Sequence, residues 1–308
     1  MLKNKNIFVI GPSGIGTICI RELVNNGSKK IYIKSKSRSS TFKTKKRLEE
    51  EYDIDFIVIK KFEELKNLNI DIAFICSPTN LHLKHIKVCN KFNIKKIIVE
   101  KPTFWLNGIN TKIVELFYKK NKNLYTNFPM IFYAKQLKQH FKIKTKNLKN
   151  LKFVYNTNGK NNFDKIAIDL LPHAFSFFIV FFGSQIDIKK IDISYIRSKL
   201  NIWSAKFSYN NLICEINFKQ NTSKKSYLAN FINNKLYLRK QTIKPKNNKL
   251  DVSILSENIS KKIINPIELS IKNNLKKAIF NNRVNNISFD INILNLMIFF
   301  LNYKMKKK

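Results

Sequence analysis

The chain has 308 residues, long enough for two domains that each bury a core. Its 44% hydrophobic content excludes a disordered chain, and its longest apolar runs, Phe175–Gly183 and Ile291–Leu301, fall short of the ~20 residues of a membrane span. Lys and Arg outnumber Asp and Glu by 58 to 20, for a formal charge of +38, but the lysines are spread over nearly every segment. That spread reads as a compositional bias and argues against a dedicated nucleic-acid surface.

The first third alternates short β-branched runs with amphipathic stretches, which predicts βαβ units. Strands are expected at Asn6–Ile10, Lys30–Lys34, Asp55–Ile59, Asp71–Cys76, Lys96–Val99 and Asn123–Thr126, with helices between most of them. In Leu81–Phe92, Leu83, Ile86 and Cys89 or Val88 fall at helical spacing and predict a core-facing stripe. The fold expected is therefore α/β: an N-terminal doubly wound parallel sheet.

Past Pro129 the pattern changes to a helix (Tyr133–Ile143), a strand (Leu151–Asn156) and an apolar helix near Asp169–Phe182. Several strand-like runs without intervening helices follow between Ile186 and Ile243, then the polar loop Lys244–Lys249 and helices from Pro266. This predicts a C-terminal α+β domain with a largely antiparallel sheet. The boundary is placed so that residues 1–122 form one domain and 123–308 the other.

The run Ile7–Ile10 leads directly into Gly11-Pro12-Ser13-Gly14-Ile15-Gly16 and a helical pattern. Strand, glycine-rich turn and helix in that order form the context of a dinucleotide fingerprint. Gly11 allows the tight turn and Gly16 the close helix-to-strand packing, while N–H groups at the helix start can hold a diphosphate. Ser13 replaces the middle glycine, and Gly14 beside it keeps the turn small. The second strand ends in Lys34-Ser35-Lys36-Ser37-Arg38, with no carboxylate to bind a ribose hydroxyl. Ser37 and Arg38 suit the 2′-phosphate of NADP, so NADP is modestly favoured over NAD.

Two further motifs follow at fixed separation: Ser77-Pro78-Thr79-Asn80-Leu81-His82, then Glu100-Lys101-Pro102. With the glycine turn they closely resemble the glucose-fructose oxidoreductase/inositol dehydrogenase family, written Gfo/Idh/MocA, over about the first 105 residues. The resemblance implies that Ser77, Pro78, Thr79, Asn80, His82 and Glu100 line the cofactor edge. It also implies that Lys101 lies beside the nicotinamide and the substrate, where a partly desolvated lysine can exchange or stabilise a hydroxyl proton.

Asp169-Leu170-Leu171-Pro172-His173 resembles the family's DxGxH element. Residues four apart share a helix face, so both polar side chains can reach one ligand. The resemblance implies that His173 is the acid/base and Asp169 its partner or a substrate ligand. Leu171 and Ser176 depart from the family pattern, which has Gly and often Asp there. His85 and His140 carry no motif and are expected to be surface or structural.

The expected function is an NAD(P)-dependent oxidoreductase acting on a hydroxyl or keto carbon of a sugar, cyclitol or nucleotide-activated sugar. A catalytically inactive dinucleotide-binding sensor is the alternative, and a basic nucleic-acid binder ranks below it. The family resemblance implies a homo-oligomer, dimer or tetramer. Cys19, Cys76, Cys89 and Cys214 show no metal-binding spacing, so no metal is expected. No segment resembles a secretory signal, which predicts a cytoplasmic protein.

Overall fold

The computed structural model describes residues 2–183, 186–220, 226–244, 249–280 and 287–306. The chain forms two compact units: Met1–Ile109 with Glu115–Asn127 and Ser270–Asp290, and Asn110–Val114 with Phe128–Leu269 and Ile291–Lys308.

The first unit carries β1 (Ile7–Ile10), α1 (Ile15–Asn25), β2 (Lys30–Lys34), α2 (Arg38–Glu51), β3 (Asp55–Val58), β4 (Ile72–Ile75), α3 (Thr79–Lys91), β5 (Lys96–Glu100) and, after α4 (Thr111–Lys120), β6 (Leu124–Asn127). The six strands are all parallel, in the order β3-β2-β1-β4-β5-β6. Every residue of β1 and β4 is buried, as expected where helices cover both faces of a parallel sheet. Strand order reverses between β1 and β4, and a crevice for ligands opens beyond the carboxyl ends of strands at such a switch point. The core around it includes Phe8, Ile10, Ala73, Ile75, Ile86, Cys89, Ile97, Val99 and Leu124.

The second unit begins with α5 (Pro129–His140), β7 (Asn150–Asn156) and α6 (Asp164–Phe182). It continues with β8 (Ile191–Lys199), β9 (Ile202–Tyr209), β10 (Leu212–Lys219), β11 (Tyr227–Ile232), β12 (Lys235–Lys244), β13 (Lys249–Ser256) and β14 (Ile259–Ile263). The helices α7 (Pro266–Ile279) and α8 (Ile287–Lys306) follow, each divided between the two units. Eight strands pair in the order β14-β13-β12-β11-β7-β10-β9-β8, antiparallel except for β7 against β10. In β10 alone Leu212, Cys214, Ile216 and Phe218 are buried at period two, so one face of the strand is apolar. On that inner side Phe177 and Phe178 of α6 meet Phe153 and Phe207. Among the described residues α6 is the helix long and apolar enough to cross a membrane, and 67% of its apolar window is buried inside the protein.

Both fold classes match the expectation; three local details differ. Helix α3 buries Ile86 and Cys89 as expected, but Leu83 is only half-buried and two imidazoles, His82 and His85, complete the inner stripe. Helix α5 begins at Pro129, whose fixed φ suits a first helical turn. β13 and β14 extend the sheet beyond Ile243: Leu250, Val252 and Ile254 alternate in β13, whereas Ser260, Lys261 and Lys262 interrupt the apolar pattern in β14. Of the expected polar loop Lys244–Lys249, residues 245–248 lie outside the described residues.

Candidate functional site

The glycine turn closes β1 onto α1. Gly11 has φ +81°, and its N–H donates to the Lys34 carbonyl at 2.9 Å. A Cβ added there would stand 2.8 Å from the carbonyl carbon and oxygen of Cys76, and one at Gly16 only 2.0 Å from the Gly11 oxygen. Neither position admits a side chain. Gly14, at φ +56°, also needs glycine, but a Cβ there would meet nothing within 4 Å. The turn is thus packed hard on its inner side and open at Gly14. Gly16 N–H closes onto the Ser13 carbonyl at 3.0 Å, and Ile15 begins α1. A diphosphate fits this arrangement: the approach is free of side chains and the positive end of an 11-residue helix lies at the turn.

At the end of β2, Ser37 caps α2 with its hydroxyl, which accepts from the Ser40 N–H, and Ser39 and Ser40 extend the hydroxyl cluster. The exposed Arg38 lies with its guanidinium 5.7 Å from the Phe42 ring centre. Lys34 is turned away, donating to the Lys60 carbonyl at 2.6 Å.

At the adjoining strand ends, His82 is 1% exposed and its two ring nitrogens lie 2.8 Å from the Pro102 carbonyl and 2.7 Å from the Ser77 carbonyl. Burial pushes its pKa down against the pull of these acceptors, and a neutral ring donates to one of them at a time. His82 is therefore a staple between the Ser77 turn and the Lys101-Pro102 loop, whose peptide bond is cis. His85 takes the next turn of α3 and bonds the Ser77 hydroxyl at 2.8 Å. Burial, then the charges of His82, Lys84 and Lys34, push its pKa down to about 4, so it is neutral near pH 7. His85 is structural and buried, whereas His140 is exposed. Ser77 itself is buried, Thr79 is half-buried and Pro78 and Asn80 are exposed at the start of α3.

The Lys101 loop is secured from behind as well. Burial raises the Glu100 pKa, while the Asn127 amide that donates to its carboxylate and the charge of Lys101 oppose the rise. Two residues on, the Thr103 hydroxyl is 2.7 Å from that of Thr126 and accepts from Tyr118 at 2.8 Å. Thr126 and Tyr118 in turn donate to the buried carboxyl of Asp290, at 2.6 and 3.3 Å. Burial pushes the Asp290 pKa up to about 7, with those hydrogen bonds and Lys277 pulling it back.

In the second unit, Asp169 and His173 sit one helical turn apart on α6 and both are half-buried. The Asp169 carboxylate accepts from Gln220 at 3.0 Å and Asn161 at 3.3 Å, and Gln220 in turn accepts from the Asn161 N–H at 2.9 Å. Gly159 makes room for this: a Cβ there would lie 2.6 Å from the Gln220 side-chain oxygen. The His173 ring meets Tyr155 edge-on at 5.4 Å. Leu171 is fully buried, and Ser176, also buried, donates to the His173 carbonyl at 3.1 Å. Both departures from the family pattern therefore fall on core positions.

The candidate residues thus form two groups, one in each unit. Gly11 to Gly16, Ser37, Arg38, Ser77 to His82, Glu100 and Lys101 stand at carboxyl ends of the parallel strands; Asp169 and His173 stand on α6. The sequence did not point to Asn127, Thr126, Asp290, Asn161 or Gln220, while His85 takes one of the roles expected of it, a structural one. A buried Asp carried by an apolar helix was the available signal for Asp290. The amide residues gave none, being common throughout the chain. Among the described residues no cluster of three or more His, Cys, Asp or Glu assembles that could hold a metal ion.

Residues 5–128 match the family model described as the Gfo/Idh/MocA oxidoreductase family, NAD-binding Rossmann fold. No curated protein matches the chain. Among solved structures it resembles a Gfo/Idh/MocA family oxidoreductase from Vibrio cholerae, with TM-score 0.69 and 12% identity over 99% of this chain and 100% of that one. It also resembles a 3-ketoreductase from Actinomadura kijaniata solved with NADP and TDP-benzene, with TM-score 0.67 and 11% identity over 95% of each chain. A third is the UDP-N-acetylglucosamine 3-dehydrogenase from Acidithiobacillus ferrooxidans, with TM-score 0.64 and 10% identity over 96% of this chain and 95% of that one. At these identities the structures speak to the fold across both units, and the family match speaks to the first. The cradle at Gly11 and Gly16, the His82 staple and this match together identify the N-terminal region as the NAD-binding Rossmann domain of the Gfo/Idh/MocA oxidoreductase family.

Proposed function

We propose that the protein is an NAD(P)-dependent oxidoreductase acting on a hydroxyl or keto carbon of a sugar, cyclitol or nucleotide-activated sugar. One observation carries the reading: the side-chain-free cradle at Gly11 and Gly16 rests on Cys76, next to the Ser77 turn that His82 ties to the carbonyl following Lys101. This supports a diphosphate on the turn and a lysine ammonium at the neighbouring strand end. The bound nicotinamide would supply the hydride transfer.

In this reading Gly11, Ser13, Gly14, Ile15 and Gly16 receive the diphosphate. Pro78, Thr79 and Asn80, carried on the Ser77 turn, flank the cofactor, and His82 and Glu100 fix the walls. Ser37 and Arg38 bind a 2′-phosphate, favouring NADP, because an Arg pairs with phosphate where a carboxylate would repel it. Lys101 donates to the reacting oxygen and steadies its charge. His173 takes or returns the hydroxyl proton, and Asp169, fixed by Asn161 and Gln220, orients the substrate. That the 3-ketoreductase neighbour was solved with NADP and a TDP derivative, and that another neighbour is a UDP-sugar dehydrogenase, favours a nucleotide-activated sugar. The protein works in the cytoplasm as a dimer or tetramer.

Fluorescence titration with NADPH and NADH in low-phosphate buffer, followed by a panel of nucleotide sugars and cyclitols, tests the reading. Binding of NADPH ahead of NADH, with turnover on one class, is the expected result. A chain that binds neither dinucleotide is not this enzyme.

A further inference from the structure

Cys19 and Cys76 are far apart in sequence, yet the Cys76 thiol donates to the Cys19 sulfur across 3.6 Å. Both are free thiols. Cys19 lies on the inner face of α1 and is 1% exposed, whereas Cys76 follows β4 and is partly exposed. The pair sits directly beneath the glycine turn. A Cβ at Gly16 would come within 3.4 Å of the Cys76 Cβ, and one at Gly11 would strike the Cys76 carbonyl. No side chain cushions the turn from the cysteine.

We propose that Cys19 and Cys76 are an oxidation site that closes to a disulfide and so weakens nucleotide binding at the turn above them. A hydroperoxide is the oxidant. The Cys76 thiolate attacks its terminal oxygen; an S–O bond forms, the O–O bond breaks, and the leaving oxygen takes the proton that Cys76 released. The Cys19 sulfur then attacks the Cys76 sulfur. An S–S bond forms, the S–O bond breaks, and hydroxide leaves as water with the Cys19 proton. Two thiols are oxidised by two electrons and the peroxide is reduced by two.

The order of events follows from the setting. When Cys76 is the thiolate the shared hydrogen bond runs from the Cys19 S–H to Cys76; that bond, and then burial, hold the Cys19 thiol protonated well above the usual thiol range, so the more accessible Cys76 meets the oxidant first. Closure must draw the sulfurs from 3.6 Å to about 2.05 Å. A methyl at Gly16 would overlap the Gly11 oxygen and one at Gly11 the Cys76 carbonyl, so the turn is packed too closely on Cys76 to stay in place when that cysteine moves. The effect on binding rests on the dinucleotide reading above; the disulfide itself does not.

The test treats the full chain with hydrogen peroxide, maps its peptides without reduction, and titrates NADPH before oxidation, after it, and after dithiothreitol. The expected result is a Cys19–Cys76 linked peptide and an NADPH affinity lower by about tenfold, within the range of typical couplings, and restored by dithiothreitol. Cys89 and Cys214, both buried, should remain thiols and serve as internal controls. Cys19→Ala should keep the reduced affinity and lose the response, while reversal in the unaltered chain makes the same point without a variant. Absence of the linked peptide, or a linked chain with unchanged NADPH affinity, overturns the proposal. If the disulfide forms but even the reduced chain binds no NADPH, the dinucleotide reading has failed and the regulation with it.

Discussion

In the first unit the candidate residues are fixed by main-chain geometry: Gly11 and Gly16 by approaches that exclude a Cβ, and the Lys101 loop by His82 bonding the Pro102 and Ser77 carbonyls. In the second, Asp169 is fixed by the side-chain amides of Asn161 and Gln220. Main-chain demands restrict which residue can stand at a position. A side-chain amide can be supplied from many positions, so the second arrangement is free to vary with the ligand while the first is not.

Gly16→Ala should break the first arrangement most severely. Its methyl would lie 2.0 Å from the Gly11 oxygen, so NADPH binding should vanish in fluorescence titration, with roughly 1–3 kcal/mol lost in denaturant unfolding. Retained affinity would mean that the cradle is not where the dinucleotide sits. Lys101→Met separates holding from chemistry: kcat should fall about 10²–10⁴-fold, with NADPH affinity changed less than about twofold. An equal loss of both would make Lys101 a binding residue.

Asp290→Asn probes the support behind the loop. The folded-state pKa, about 7, lies above the ordinary carboxyl value, so the folded chain binds the extra proton. The wild type should therefore lose stability relative to the variant as pH rises from about 4 to 7, by at most on the order of 4 kcal/mol, and the difference should level off above that. Unfolding curves of both chains across this range would measure it, and parallel curves would show that the carboxyl is not buried as described. The smallest effect belongs to the second unit. Gln220→Met should raise the substrate KM by several-fold, about 1 kcal/mol for a lost hydrogen bond, and leave NADPH affinity unchanged. A change in NADPH affinity instead would remove the contrast between the two regions.

The same contrast explains what could be read from sequence. Gly11, Gly14 and Gly16 announce themselves because only glycine satisfies their contacts or φ, and the Ser77–His82 and Glu100–Pro102 runs lie at ordered strand ends. The parallel sheet is legible because β1 and β4 are uninterrupted apolar runs. β14 escaped because Ser260, Lys261 and Lys262 leave only its two end residues apolar, and β13 because its alternating Leu250, Val252 and Ile254 directly follow a run that reads as a polar loop. Asp290 escaped for a different reason: its partners Thr126 and Tyr118 lie more than 160 residues upstream, and no local pattern records a pairing at that distance.

That long reach has a consequence for how the protein is made. The Thr126 carbonyl accepts from the Asn274 amide, and the Thr126 hydroxyl donates to the Asp290 carboxyl. A ribosome delivers Thr126 long before either partner, so the first unit cannot complete its polar core until synthesis has passed Asp290. A message truncated anywhere between these points would yield a nucleotide-binding half that is left open, and such chains should be cleared by proteases before they could sequester dinucleotide unproductively.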